Sequence, residues 1–147
     1  TGFVTETGQL LNLMNGVSCL GGRTQISRVL AHAVKETRAK PVKAVVFIGD
    51  CCEEPVDELC HTAGELGMLR TPVFMFHEGN DAHARAVFQQ VSKLSGGAYA
   101  PFDRNSPQVL KDLMAAVAVY ASGGAKALQD FSSRSSPEVK RLTRQIR

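Results

Sequence analysis

Two short segments carry the residue types that could hold a metal ion. Residues 21–24, with the sequence GGRT, form a glycine-rich turn at the start of a predicted helix, and Asp50 directly follows an apolar run that predicts a buried strand. A carboxylate at a strand end is a hard oxygen ligand of the kind that Mg²⁺ or Mn²⁺ prefers, and the hydroxyl of Thr24 could supply a second ligand. We therefore take Thr24 and Asp50 as candidate metal ligands.

Each of these features also has a purely structural interpretation. Thr24 is a favourable N-cap residue for the helix that it opens. The acidic residues after Asp50 fall in or before the first turn of the next predicted helix, where the helix dipole favours negative charge: Glu53, Glu54, Asp57 and Glu58. The turn lacks the spacing and the lysine of a phosphate-binding loop, so the sequence does not predict a nucleotide site.

A nucleophilic pair is the second chemical hypothesis. Cys51 follows one predicted strand and His77 ends the next, and a thiol at a helix N-terminus would have a lowered pKa. The chain would then be a small α/β enzyme, a hydrolase or transferase that uses Asp50 or Cys51. The sequence contains no G-x-S-x-G elbow and no dinucleotide fingerprint. The four cysteines, at positions 19, 51, 52 and 60, lack zinc-ligand spacing and are interpreted as reduced, buried residues of a cytoplasmic protein.

The elements that would position these residues alternate along the chain. Residues 42–48, 71–76 and 98–102 predict strands, and the amphipathic stretches around them predict helices. This alternation predicts an α/β fold with three layers, in which a doubly wound, Rossmann-like and mostly parallel sheet is flanked by helices. Ligands in such sheets bind at the carboxyl ends of the strands, so we expect residues 21–24 and 48–54 to converge there.

Composition and charge limit the classes of partner. With 147 residues, 44% of them hydrophobic, the chain can bury a core of its own, and no apolar run is long enough to cross a membrane. Residues 1–125 contain 11 Lys and Arg against 12 Asp and Glu, whereas residues 126–147 contain 6 against 2. The sequence shows no clustered basic face of the kind that would predict nucleic-acid binding. We expect residues 125–147 to be a basic, serine-rich flexible tail with one short helix.

Taken together, three segments resemble a von Willebrand factor A domain of the bacterial type. They are residues 22–24 (GRT), 45–50 (VVFIGD) and 95–99 (SGGAY), and the resemblance covers about residues 9–121. In that family a metal-ion-dependent adhesion site combines a D-x-S-x-S loop, a threonine that opens a later helix and an aspartate after the next strand. The resemblance implies that Thr24 and Asp50 are the second and third of these elements. Because the D-x-S-x-S loop is absent, it also implies a vestigial site with weak or lost Mg²⁺ or Mn²⁺ binding.

The resemblance further implies how the chain works. Residues 1–124 would be the C-terminal two-thirds of such a domain, without its first strand, since the chain begins at Thr1 and lacks the first loop. A missing strand would leave the edge of residues 42–48 unpaired, so we expect self-association into a homo-oligomer through that edge. Members of the family mostly bind other proteins. The expected function is therefore a non-catalytic protein-interaction module with an unidentified protein partner, and with no nucleic acid or membrane partner.

Overall fold

Three short apolar runs form a parallel sheet at the centre of the chain. The computed structural model describes residues 2–18 and 20–147; Cys19, which the sequence predicts to be reduced and buried, lies outside the described residues. The strands are β1 (Val45–Gly49), β2 (Val73–Glu78) and β3 (Tyr99–Phe102). The helices in the described residues are α1 (Thr7–Asn15), α2 (Ile26–Ala39), α3 (Val56–Met68), α4 (Ala82–Ser95), α5 (Pro107–Ser132) and α6 (Pro137–Thr143).

The order of the strands is β1-β2-β3, and both pairs are parallel. Val45 lies opposite Val73, and Met75 lies opposite Tyr99. β2 is central and buried over almost its whole length, as its continuous apolar sequence predicts. All three predicted strands are confirmed, with β1 and β2 beginning two or three residues later than the sequence indicates. The order of the described strands contains no reversal of the kind that defines a doubly wound sheet.

Helices cover both faces of the sheet. On one face α2, α3 and α4 pack against the side chains of Val45, Phe47, Val73 and Met75. On the other face α5 and α6 pack against Val46, Phe74 and Phe76, which alternate with the first set along the strands. The predicted class, a mixed α/β fold with a parallel sheet between helices, is therefore confirmed.

The connection from α4 to β3 explains the glycines of residues 95–99. Gly96 ends α4 with a φ of 80°, a left-handed conformation that glycine adopts without strain. Gly97 lies so close to the backbone of Val73 that a methyl group on it would collide with the Val73 carbonyl. The two glycines thus have a packing role, because they allow β3 to start directly beside β2.

The C-terminal segment contains the predicted short helix, α6, but is not the flexible tail that the sequence predicts. α5 continues beyond Gly124, where a φ of 74° interrupts the helix, and α6 follows after a short turn. Four apolar residues of this segment are buried in the core on the α5–α6 face of the sheet: Leu128, Val139, Leu142 and Ile146. The serine and arginine content of residues 125–147 predicts a solvated segment, but the spaced apolar residues between them bury enough surface to order it.

The N-terminal helix α1 makes no comparable contribution to the core. It confirms the short helix that the sequence predicts around residues 9–14, but none of its residues is buried. Leu10, Leu11, Leu13 and Met14 are all between 42% and 62% exposed. Separately, none of the helices in residues 2–18 and 20–147 combines the length and apolar content that crossing a bilayer requires.

Candidate functional site

The structure brings the glycine-rich turn and the loop after β1 together at the carboxyl end of the sheet. The backbone N–H of Thr24 donates to Glu53 Oε2 over 3.2 Å, and the backbone N–H of Glu53 donates to Thr24 Oγ1 over 3.1 Å. The hydroxyl that the sequence offers as a metal ligand is thus an acceptor in a reciprocal pair. Glu53, rather than Asp50, is its described partner.

Glu54 fixes this loop to the start of α2. Its carboxylate accepts hydrogen bonds from the backbone N–H of Ile26 over 2.5 Å, from the N–H of Ser27 over 2.9 Å and from Ser27 Oγ over 2.5 Å. These are N-terminal donors of a helix, which have no partners within the helix itself. Partial burial alone would raise the pKa of Glu54, but the hydrogen bonds from Ser27 and Ile26 outweigh it and lower the pKa.

This arrangement corrects two interpretations of the sequence. Thr24 is not the N-cap of α2; the N-cap residue is Gln25, whose side chain makes no capping bond. The sequence predicts Glu54 to be an acid in or before the first turn of α3, favoured by that helix dipole, but its carboxylate accepts hydrogen bonds from the N-terminus of α2. The capping group therefore comes from 27 or 28 residues away in the sequence rather than from the residue before the helix.

Asp50 and Cys51 lie at the end of β1, where an acidic environment surrounds the thiol. Asp50 is exposed and Cys51 is half-buried. Burial raises the pKa of Cys51, and a hydrogen bond to the Asp50 carboxylate and the negative charges of Asp50, Glu53 and Asp81 raise it further. These surroundings therefore favour the neutral thiol, whereas a nucleophilic cysteine needs a lowered pKa.

His77 is buried in a different set of contacts. Nδ1 lies 2.9 Å from the hydroxyl of Tyr99, and Nε2 lies 3.3 Å from the backbone carbonyl oxygen of Asp50. The ring also packs edge-on against Phe88. Both ring nitrogens thus have partners, and neither partner is the Cys51 thiol. The structure does not assemble the Cys51–His77 pair that a cysteine-based enzyme would use.

The residues at this end of the sheet supply only part of a metal site. Thr24 Oγ1 already accepts a hydrogen bond, and Asp50 offers one exposed carboxylate. In residues 2–18 and 20–147, no three His, Cys, Asp or Glu side chains are grouped as a metal ion would require. Mg²⁺ commonly takes six oxygen ligands in a near-octahedral arrangement, so the described side chains do not fit a tightly held ion.

Two structural contacts carry no local signal in the sequence. The side chain of Gln145 pairs with the backbone of Tyr99 from 46 residues away, and the Glu54 bonds to α2 span 27 and 28 residues. A glutamate near a helix start suggests capping of that same helix, so only a three-dimensional arrangement could reveal the real partner.

Comparison with known proteins identified no relative. No protein-family model, no curated protein and no solved structure matches the chain.

Proposed function

We propose that this chain is a non-catalytic protein-interaction module of the von Willebrand factor A type. In this proposal the three described strands are one part of a doubly wound, Rossmann-like sheet. Two observations support it. A parallel sheet lies between two helical layers, and the turn that contains Thr24 meets the loop after β1, as the resemblance implies.

The Cys51 thiol, which is not a hydrogen-bond partner of His77, carries the non-catalytic part of the proposal. Its pKa is raised by burial and by the acidic groups around it, and His77 is occupied by Tyr99 and by the carbonyl of Asp50. What the end of the sheet offers instead is an exposed carboxylate at Asp50 on a loop that Glu53 and Glu54 hold in place. A fixed, exposed acidic group suits recognition of a protein partner that carries a basic side chain.

In the proposed function a divalent ion would assist binding of the partner and would not be required for the fold. If an ion is bound, Thr24 and Asp50 would be its ligands from this chain, and Mg²⁺ or Mn²⁺ would then present positive charge to a partner carboxylate instead of Asp50 contacting a basic side chain. With two ligands the chain alone would hold the ion weakly, so a partner would have to complete the site.

A reducing compartment fits the cysteine chemistry. Cys51, Cys52 and Cys60 are free thiols, and neighbouring free thiols persist where glutathione and thioredoxin keep them reduced. We therefore place the module in the cytoplasm as part of the same proposal.

The test is affinity capture with matched carboxylate variants. Wild-type chain, Asp50→Asn and the control Asp130→Asn, which removes an exposed carboxylate from α5, are immobilised and exposed to cell extract in Mg²⁺ and again in chelator. We expect a protein that the wild type and Asp130→Asn retain and that Asp50→Asn loses. Loss in chelator as well would assign a role to the ion. Equal recovery on all three chains would contradict the proposal, as would turnover of generic acyl or phosphate esters that Asp50→Asn abolishes.

A further inference from the structure

The two edges of the sheet differ in whether their outward backbone groups are hydrogen-bonded, and at the β3 edge they are. The side-chain amide of Gln145 accepts from the backbone N–H of Tyr99 and donates to its carbonyl oxygen, each over 2.9 Å. This is the hydrogen-bonding pattern that a neighbouring strand would provide. Pro101, the next residue in the strand with the same outward orientation, has no N–H to offer. β3 therefore cannot readily accept another strand.

The β1 edge carries no comparable protection in the described residues. The N–H of Val45 donates to the carbonyl of Pro72, so Val45 and, by alternation, Phe47 and Gly49 direct their backbone groups towards β2. Val46 and Ile48 must then direct theirs away from the sheet. No side chain or turn in residues 2–18 and 20–147 bonds these outward groups.

The side chains of β1 are exposed in the same way. Val45, Val46 and Phe47 are only half-buried although they belong to the two apolar layers of the molecule, and Ile48 is 47% exposed. Both apolar layers of the sheet therefore end uncovered at this strand. A strand with an open hydrogen-bonding edge and apolar side chains on both faces is a template for pairing.

We propose that β1 pairs with β1 of a second copy of this chain, in antiparallel orientation about a two-fold axis at Phe47. In this register Val46 lies opposite Ile48 of the other copy, and the whole of Val45–Gly49 is paired. The outward N–H and carbonyl groups of Val46 and Ile48 bond across the axis, because residues of the same parity face each other. The two three-stranded sheets become one six-stranded sheet, and both apolar layers continue across the axis.

The charges that flank β1 select a second copy in this orientation. Lys40 and Lys43 precede the strand, while Asp50 and Glu53 follow it. An antiparallel pair places the basic end of each strand beside the acidic end of the other, whereas a parallel pair of identical strands would place like charges together. The edge is thus complementary to itself, and only in the antiparallel sense. This surface shares Asp50 with the loop end of the sheet that the proposed function uses, but its strand residues, Val45–Gly49, are separate from that loop.

The test is sedimentation of the full chain at tens of micromolar with two matched substitutions. Ile48→Lys places a charge beside the two-fold axis, and Leu94→Lys makes the same change at a residue of α4 that is 46% exposed. We expect dimers for the wild type and for Leu94→Lys. Ile48→Lys should raise the dissociation constant of the dimer by about tenfold or more. Because Ile48 is exposed in the single chain, circular dichroism should show the same fold for all three.

A charge swap tests the orientation. Lys43→Glu should weaken the dimer, and the double variant Lys43→Glu/Asp50→Lys should restore it, because the swap re-creates opposite charges at both ends. A wild type that sediments only as a monomer overturns the proposal. It is also overturned if Ile48→Lys remains fully dimeric, or if the dimer is lost instead on Leu10→Lys, which would assign association to α1. A monomeric wild type that still captures a partner through Asp50 would leave the proposed function standing.

Discussion

Glu54 links the loop after β1 to the first turn of α2 through hydrogen bonds from Ile26 and Ser27. The bonds meet two needs at once, because the helix N-terminus has unpaired donors and the carboxylate is partly removed from water. They also set the position of the neighbouring Glu53 and so of the turn around Thr24. The loop end of the sheet is therefore organised by an acid whose partners are backbone and hydroxyl groups of α2.

Replacing Glu54 should destabilise the protein measurably. We expect Glu54→Ala to lower the free energy of unfolding by about 1–2 kcal/mol, the usual effect of removing a helix-capping group. The control is Glu6→Ala, which removes an exposed carboxylate whose side chain makes no capping bond. Urea unfolding compares the two variants with the wild type. If both variants lose the same small amount, Glu54 has no special role.

The same group gives stability a defined pH dependence. Because the folded-state pKa of Glu54 is lowered from its ordinary value of 4.5, the carboxylate stabilises the fold fully above that value. This contribution is lost as the pH falls through the lowered folded-state pKa. The difference in melting temperature between wild type and Glu54→Gln should thus be constant near neutral pH and shrink in acid. A difference that grows on acidification would contradict the assignment.

At the scale of the single element, the side chain of Gln145 completes the hydrogen bonding of β3. A four-residue strand at the edge of a sheet has few bonds to spare, and its Tyr99 is 8% exposed, so water reaches its backbone poorly. The amide of Gln145, in the turn after α6, supplies both missing bonds and so completes the hydrogen bonding of Tyr99.

Substituting Gln145 should loosen this edge. We expect Gln145→Leu to cost about 1–3 kcal/mol, since it leaves the N–H and carbonyl of Tyr99 without their partners. The N–H of Tyr99 should exchange with solvent faster as a result. Gln129→Leu, on an exposed position of α5, makes the same chemical change without touching a strand. Amide exchange followed by NMR distinguishes the two, and unchanged protection of Tyr99 would refute the role of Gln145.

The sequence predicts the elements well but not the contacts that join them. The strands are recognisable because runs such as residues 45–48 are β-branched, aromatic and flanked by turn residues. The bonds from Ile26 and Ser27 to Glu54 have no local signature, because their partners meet only after the sheet and helices have packed. The predicted N-cap role of Thr24 is wrong, because the N-cap of α2 is Gln25 and the capping carboxylate belongs to Glu54. The metal ligation of Thr24 and Asp50 stays a prediction.

At the scale of the whole molecule, the C-terminal segment closes one of the two cores. Leu128, Val139, Leu142 and Ile146 cover the part of this sheet face that residues 107–124 alone would leave open. α1, at the other end of the described chain, buries none of its residues. The two ends therefore contribute very unequally to the stability of the fold.

This inequality predicts that a leucine-to-alanine substitution costs much more stability at the C-terminal end than at α1. Leu142 is fully buried, so Leu142→Ala should cost about 2–5 kcal/mol. Leu10 is 48% exposed, and Leu10→Ala should change the free energy of unfolding by no more than about 0.5 kcal/mol. Chemical denaturation at low protein concentration measures both. A small loss at Leu142 would contradict its role in the core on the α5–α6 face of the sheet.

The distance in sequence between Tyr99 and Gln145 has a consequence for synthesis of the chain. Translation delivers residues one after another, and 46 positions separate the edge from the side chain that covers it. At about 5–20 residues per second, β3 waits roughly 2–9 seconds after its own synthesis before Gln145 exists. During that interval the nascent sheet has two unprotected borders instead of one. A growing polypeptide is therefore most exposed to unwanted strand exchange with its neighbours just before this stretch is made.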